Sequence, residues 1–450
     1  MTGHLQQDQA LPHAESNNNQ QRKNVRFLVL AWLCSLAGIL YLDRICISSA
    51  LNDIQQDLGI SDTQTGIVLM AFTLAYGLFE IPTGHWGDTI GSRRVLTRIS
   101  LWWSTFTVLT GACSGLSMLI LVRFLFGAGE AGAFPNAARV VSRWFPEHER
   151  ARAQGVLLAA SQLGGAIAPF LAALLIQHFG WRMTFAIFGI LGFFWAAGFY
   201  AWFRDEPSEH PSVTDSEARY IASGSATRQK QNPIPWKLVF TNPSIWFLSV
   251  IMICASFNSY IYFSWFPKYL GEARGIERTT AGLMSSVVLL FAAIGTFTGG
   301  LLVDFFGAAQ SARRRRAFGS VAFALATLML MFALLSDSPW TAVILTAGSC
   351  FATQATQSLW WSCAIGISGQ HVGALFGLMN SMGVFGAMSS QFLTGALADW
   401  LGARGLTARA QWDPIFYINC VVLTVAAVLW AAFVFRKVEP DKRSEPTLLA

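Results

Sequence analysis

Twelve stretches of about twenty mostly apolar residues follow one another along this 450-residue chain, and nothing else restricts its fold as much. They run at roughly 27–50, 66–83, 95–113, 118–138, 154–176, 183–203, 245–266, 281–303, 317–335, 340–365, 372–398 and 415–435. In lipid, only helices and closed barrels satisfy every backbone polar group, and runs of this length are helical spans. Hydrophobic residues make up 53% and charged residues 12%, where a soluble chain carries about 25% charge. A soluble body of this size cannot hide so much apolar surface. The expected fold is therefore all-α and integral to the membrane.

One long polar connection, 204–244, carries Pro207, Pro211, Pro233 and Pro235 and divides the spans six and six. The expected organisation is a tail (1–26), a first six-helix bundle (27–203), a linker (204–244), a second bundle (245–435) and a closing tail (436–450). The first 25 residues are polar and show no apolar run with a cleavage site, so the run from Phe27 reads as a retained span. Lys and Arg orient the chain. Twenty-three fall on the side of the tails, linker and even-to-odd connections, and six on the other: Arg182, Lys268, Arg274, Arg278, Arg404 and Arg409. By the positive-inside rule both termini face the cytoplasm, which places the chain in the inner (plasma) membrane. The excess of positive charge is thus a topology signal and not a nucleic-acid footprint. The run Arg313–Arg316 reads the same way, as an anchor with lipid contact added.

Internal repetition supports the division. Gly84, Asp88 and Gly91 recur in spacing as Gly300, Asp304 and Gly307, 216 residues later, and again as Gly395, Asp399 and Gly402 on the opposite face. Such triplets at corresponding ends of three-helix units imply nested repeats of the secondary-transporter kind. Enzyme readings find no support: GxSxG, HExxH, a P-loop and a dinucleotide fingerprint are all missing from the sequence. The seven Cys lie in apolar runs without a CxxC, so neither a disulfide framework nor a metal site is expected, and no cofactor.

The segment Gly84-His-Trp-Gly-Asp88-Thr-Ile-Gly91-Ser-Arg93-Arg94 resembles the loop signature of the major facilitator superfamily. A narrower match is to its anion:cation symporter family. The matching residues are Tyr41-Leu-Asp43-Arg44; Arg123-Phe-Leu-Phe-Gly-Ala-Gly-Glu130-Ala-Gly-Ala-Phe-Pro135; Trp144-Phe-Pro146; Glu149-Arg150-Ala-Arg152-Ala-Gln-Gly155; Trp265-Phe-Pro-Lys-Tyr-Leu270; and Gly377-Leu-Met-Asn380. The resemblance covers about residues 27–435. It implies twelve transmembrane helices in two six-helix bundles, and import of organic anions, generally with protons. It also implies that Asp88 with Arg93 and Arg94, flanked by Gly84 and Gly91, forms a cytoplasmic conformational latch.

Asp43, Arg44, Arg123 and Glu130 are ionisable groups inside predicted spans. A charge at the membrane centre costs roughly 2.5–3.5 kcal/mol on insertion scales, so such groups usually face a cavity and serve a function. Arg123 and Glu130 are seven residues apart and share a helix face. Their partners are expected to be Asp43 and Arg44. One reading is two ion pairs locking helices. The other is that two guanidinium forks bind a carboxylate while Asp43 and Glu130 carry protons; the resemblance implies the second. It also assigns Tyr41, Tyr76 and Asn380 to hydroxyl recognition. Gln357, Trp360 and Trp361 in span 10 and Asn258 and Tyr262 in span 7 are further candidates, of which Trp361 is included in the binding set. Glu80 reads as half of a gate ion pair with Arg93, Arg94 or an arginine of the span 4–5 loop. Glycines 127, 129, 132, 164 and 165 would let helices approach closely.

The expected function is import of a small organic anion by proton symport, as a monomer in the bilayer, through alternating access at a midplane site. Sugar acids (hexuronate, aldonate, aldarate) are the first choice because tyrosine and asparagine supply polar groups beyond carboxylate binding. A tartrate-like, aromatic or sulfonated acid is the alternative within transport, and a transporter-fold sensor the alternative from another class.

Overall fold

The structure is a computed structural model and describes residues 24–222, 236–368 and 372–438. The tail stretches 1–23 and 439–450, the linker stretch 223–235 and the side chain of Asp88 lie outside the described residues. Every regular element described is helical.

The first half contains α1 (Val25–Leu58), α2 (Asp62–Ile90), α3 (Ser92–Gly111), α4 (Leu116–Glu130), α5 (Ala133–Trp144) and α6 (Glu147–Trp202). Gly180, at φ 75° and ψ 164°, divides α6 into two spans. After the linker helices α7 (Asp215–Ala222) and α8 (Trp236–Thr241) come α9 (Pro243–Ser264), α10 (Phe266–Arg274), α11 (Arg278–Phe305), α12 (Ala312–Leu335), α13 (Pro339–Ala355), α14 (Gln357–Ser368), α15 (Val372–Gly402) and α16 (Ala408–Ala432). Twelve transmembrane helices in two six-helix bundles result. Among the described residues, seven helical stretches qualify as spans on length and hydropathy alone. The α13 and α14 segments, at 17 and 12 residues, fall short because their span is interrupted.

Two expected continuous helices are broken. Span 4 stops at Glu130 and restarts at Ala133, the turn being made by Gly132 at φ 84°. A β-carbon there would both favour a different backbone region and strike Thr83. Span 10, its counterpart in the second half, breaks at Thr356. Interrupted helices at corresponding positions of two repeats are a hallmark of a central binding site, because the freed backbone ends must then line protein or cavity.

The halves meet along two seams, α2 with α15 and α6 with α11. A twofold axis exchanges these pairs, as expected for related bundles. Inside each bundle glycine removes the side chain where backbones touch. A β-carbon on Gly164 would collide with the Gly38 carbonyl of α1, and one on Gly386, at the matching place, with the Ile253 carbonyl of α9.

Among the described residues, charged bonds between the halves concentrate at the face opposite the starts of α1 and α9. There buried Lys268 meets Asp62 at 2.6 Å, Arg278 meets Asp53 at 2.8 Å, and Asp399 accepts from the Thr63 amide at 2.7 Å and the Asp62 amide at 3.1 Å. Asp399 thereby places a carboxylate on the positive end of α2. At the terminal face, bonds hold each half together instead: Arg26 pairs with Glu149 at 3.0 Å, Arg143 pairs with Glu206, and Asn242 donates to the Arg436 carbonyl at 2.9 Å. The linker is partly docked. Glu217 of α7, fully buried, accepts from the backbone amides of Val25 and Arg26 and so caps the start of α1.

Candidate functional site

Glu130 closes α4 at the break in span 4 and has no solvent exposure, while Arg44 projects from the middle of α1 toward it. The guanidinium Nε donates to Glu130 Oε1 at 2.7 Å, and Nη2 donates to the same oxygen. The other carboxylate oxygen, Oε2, is buried without a hydrogen-bond partner among the described residues. A carboxylate at a helix C-terminus lies at the negative end of the helix dipole, so Arg44 carries most of its compensation.

Three rings surround the Arg44 guanidinium: Tyr41 at 4.9 Å, Tyr76 at 4.7 Å and Phe72 at 5.2 Å from ring centroid to Cζ. Tyr41 stands three residues before Arg44, and that spacing shares a helix face. Phe72 also lies 5.2 Å from the Arg123 guanidinium, so a single ring separates the two cations. Arg123 rests 4.5 Å from the Phe126 ring as well and is 1% exposed. In desolvated settings such cation–π contacts are worth about 2 kcal/mol. Arg44, at 13% side-chain exposure, is the more accessible fork.

Asp43 is buried and accepts a long 3.5 Å bond from the Thr107 hydroxyl of α3. The Trp103 indole of α3 lies beside it as a second donor, and Arg123 Nε has no hydrogen-bond partner among the described residues. The expected pairing of four charges thus resolves unequally. Arg44 and Glu130 form a direct ion pair, whereas Asp43 and Arg123 are electrostatic neighbours without an ion pair within 4 Å among the described residues. The direct counter-charge of Glu130 is therefore Arg44, with Arg123 acting on it from further away.

The second half faces this cluster through Tyr260 of α9, which lies within electrostatic reach of Arg44, Tyr41 and Glu130. Sequence reading selected its neighbours Asn258 and Tyr262. Both are buried inside the second bundle, where Asn258 accepts from Asn419 at 2.8 Å and Tyr262 packs on Phe266 and Phe416. Helical phase explains the miss: Tyr260 points between the halves and its neighbours two residues either side do not. Asn380 is half-buried in α15, and Trp361 of α14 is 39% exposed while Trp360 turns inward to donate to the Leu248 carbonyl. Glu80, expected at a gate, lies one turn after Tyr76 and has Arg44 as its charged neighbour. Arg93, expected in the latch, donates to the Tyr200 carbonyl, and its amide to Asp205 at 2.9 Å. Arg94 is exposed beside Arg98, and Gly91, at φ 94°, makes the turn between α2 and α3 while Gly84 packs on Pro135.

A buried bridge between halves went unread in the sequence. Thr73 of α2 donates to Gln391 Oε1 of α15 at 2.8 Å, and Gln391 donates on to Ser264 at 3.3 Å. Lone Thr, Gln and Ser in apolar runs carry no pairing signal until the seam is known.

The sequence profile described as Major Facilitator Superfamily matches residues 33–390. A probable sulfoacetate transporter of Cupriavidus necator is 32% identical, over 91% of this chain and 94% of that protein. A probable L-galactonate transporter of Escherichia coli is 29% identical, over 94% and 92% respectively. Among solved structures, a bacterial homologue of the human lysosomal transporter Spinster, inward-facing and unoccupied, superposes with a TM-score of 0.76 at 20% identity, covering 91% of this chain and 97% of that one.

Proposed function

The chain belongs to the Major Facilitator Superfamily, within its anion:cation symporter family, and from that premise we propose that this organic-anion transporter imports a sugar acid together with protons. The observation that carries the reading is the Arg44–Glu130 pair at the broken span, flanked by Tyr41 and Tyr76 and facing Tyr260 across the seam. Arg44 is already paired, so an anion binds it by displacing Glu130. Glu130, deprived of its counter-charge in a dry setting, then takes a proton, since an isolated buried carboxylate is far costlier than a neutral acid. Anion and proton bind cooperatively, and the neutralised site reorients. Asp43, beside Arg123 and Thr107, is the second proton carrier. Arg123 supports the positive potential from behind Phe72, while Tyr41, Tyr76 and Asn380 offer hydrogen bonds to substrate hydroxyls.

The terminal face is the cytoplasmic one of the inner membrane, and Asp88 with Arg93 and Arg94 closes it in the opposite conformation. With two protons per monoanion, each 100 mV adds roughly 2.3 kcal/mol of inward drive. A second reading, a small sulfonated acid, rests on the 32% identity to a probable sulfoacetate transporter. Proteoliposomes with an alkaline interior separate these. Uptake of hexuronate, aldonate or aldarate above equilibrium, abolished by a protonophore, is expected. Accumulation of sulfoacetate alone selects the second reading, and uptake indifferent to the pH gradient removes proton coupling.

A further inference from the structure

Helices α11 and α12 both pack on α13, but they do not pack closely on each other. The gap is a groove of about 710 Å³ on the outer surface of the second bundle, walled by Phe291, Leu302, Phe318, Val321 and Phe351 and floored by small residues such as Gly348 and Ala352. At one end stands Arg314. From Arg314 to Met329, the groove residues of α12 advance fifteen positions, about 22 Å at 1.5 Å per residue. That is about three-quarters of the ~30 Å hydrocarbon core, so the groove runs from the interface past the depth of one leaflet.

The polar end is positive twice over. Arg313–Arg316 occupy the first turn of α12, which has no acidic residue and no side-chain cap from Ser311. Cations at a helix N-terminus oppose the dipole, and four in a row repel one another. Two of them are occupied: Arg315 donates to the Ala309 carbonyl at 2.8 Å and Arg316 to the Phe433 carbonyl at 2.7 Å. Arg314 lines the groove, and its neighbour Arg313 and Asp304, near the end of α11, are exposed. Uncapped amides and basic side chains at a helix start form an anion site, and this one opens onto an apolar trough that runs into the hydrocarbon core.

We propose that the groove holds an acyl chain of an anionic glycerophospholipid from the leaflet at the terminal face, with its phosphate on Arg313, Arg314 and the first amides of α12. The lipid then bridges α11 and α12, which the protein itself leaves apart. Native mass spectrometry of the delipidated full-length protein tests this, using phosphatidylglycerol and phosphatidylcholine with identical chains. Phosphatidylglycerol should bind about ten- to thirty-fold more tightly, the scale of two basic groups at an anionic surface. Arg313→Ala with Arg314→Ala, at exposed positions, should bring it down to the phosphatidylcholine level, and Ala322→Phe, which fills the trough, should weaken both lipids. Equal binding of the two lipids by the parent, or a preference that survives the double substitution, overturns the proposal. So does glycerophosphoglycerol, the headgroup without chains, competing as well as the intact lipid.

Discussion

The two halves share a fold but not an interior. At the heart of the first lie Asp43, Arg44, Arg123 and Glu130. In the second, the polar groups at the heart are neutral, Asn258, Asn419 and Thr353, joined through Asn258 by bonds of 2.8 and 3.5 Å, while its buried charges Lys268 and Asp413 are ion-paired. Among the described residues both interiors leave atoms without a hydrogen-bond partner, Asn419 Oδ1 in one, Arg123 Nε and Glu130 Oε2 in the other. The magnitudes differ. An unpaired neutral group costs about 1–3 kcal/mol and is a tolerable packing defect, whereas a buried charge costs more and must be paired or change protonation. A bundle of this shape therefore needs only the second half's solution to fold. The first half's charges exceed that need, and their unmet bonding capacity is what a ligand and a proton can use.

The largest effect should come from removing charge where the first half depends on it. Glu130→Gln is expected to retain counterflow exchange in proteoliposomes but to lose at least about tenfold in pH-driven accumulation, the scale of a general proton-carrier loss. Undiminished accumulation would take proton coupling away from this residue; loss in Asp43→Asn alone would assign it to α1. Next comes affinity. Arg44→Lys keeps a charge but not the planar fork or its stacking between Tyr41 and Tyr76, and should weaken substrate binding about 10- to 100-fold. Arg123→Lys should weaken it less, because Arg123 lies behind Phe72. Calorimetric titration that reverses this order would exchange their roles.

Much of this was legible before any coordinates. Span count and the four intramembrane charges follow from hydropathy and from the cost of charge in lipid. Tyr41, three residues before Arg44, shares its helix face, a spacing legible in the sequence. The breaks at Gly132 and Thr356 left no mark in hydropathy, since Gly and Thr are common in continuous spans. Tyr260 was passed over for Asn258 and Tyr262 because the phase of α9 is set by packing against α15 and α16, contacts that a single sequence does not encode. The same holds for the pairing itself: four charges on two helices allow either match, and the end of α4 at Glu130 decides it for Arg44.

In the second half a comparable substitution should act on stability and not on coupling. Asn419→Ala removes the donor to Asn258 and leaves that amide's oxygen unsatisfied. A loss of about 1–3 kcal/mol is expected, read as a lowered thermal midpoint, with the ratio of driven uptake to exchange unchanged. A change in that ratio would mean that the neutral network takes part in energy conversion, and the contrast between the halves would fail.

The smallest effect concerns the linker, which the contacts assign to the first half. His210 is buried against Trp144 and Trp202, with ring centroids 5.8 and 4.7 Å away, and accepts from the Ser212 amide through Nδ1. Burial, with Arg204 nearby, holds its imidazole below the ordinary value of 6.5. The docked linker thus binds fewer protons than the released one near that pH, so its docking is strongest above 6.5 and weakens as pH falls toward the depressed value. Glu149, which accepts from Tyr220 and Arg26, adds nothing in this window: burial opposes but those bonds prevail, keeping it below 4.5. Hydrogen exchange across Asp215–Ala222, corrected for intrinsic rates, should therefore quicken between pH 7.5 and 5.5. The change cannot exceed about tenfold per pH unit, the limit for one proton. His210→Phe keeps the aromatic packing and should flatten the response. If the acid response persists in that variant, a group other than His210 senses the proton; if the parent shows none, the linker is held independently of its imidazole.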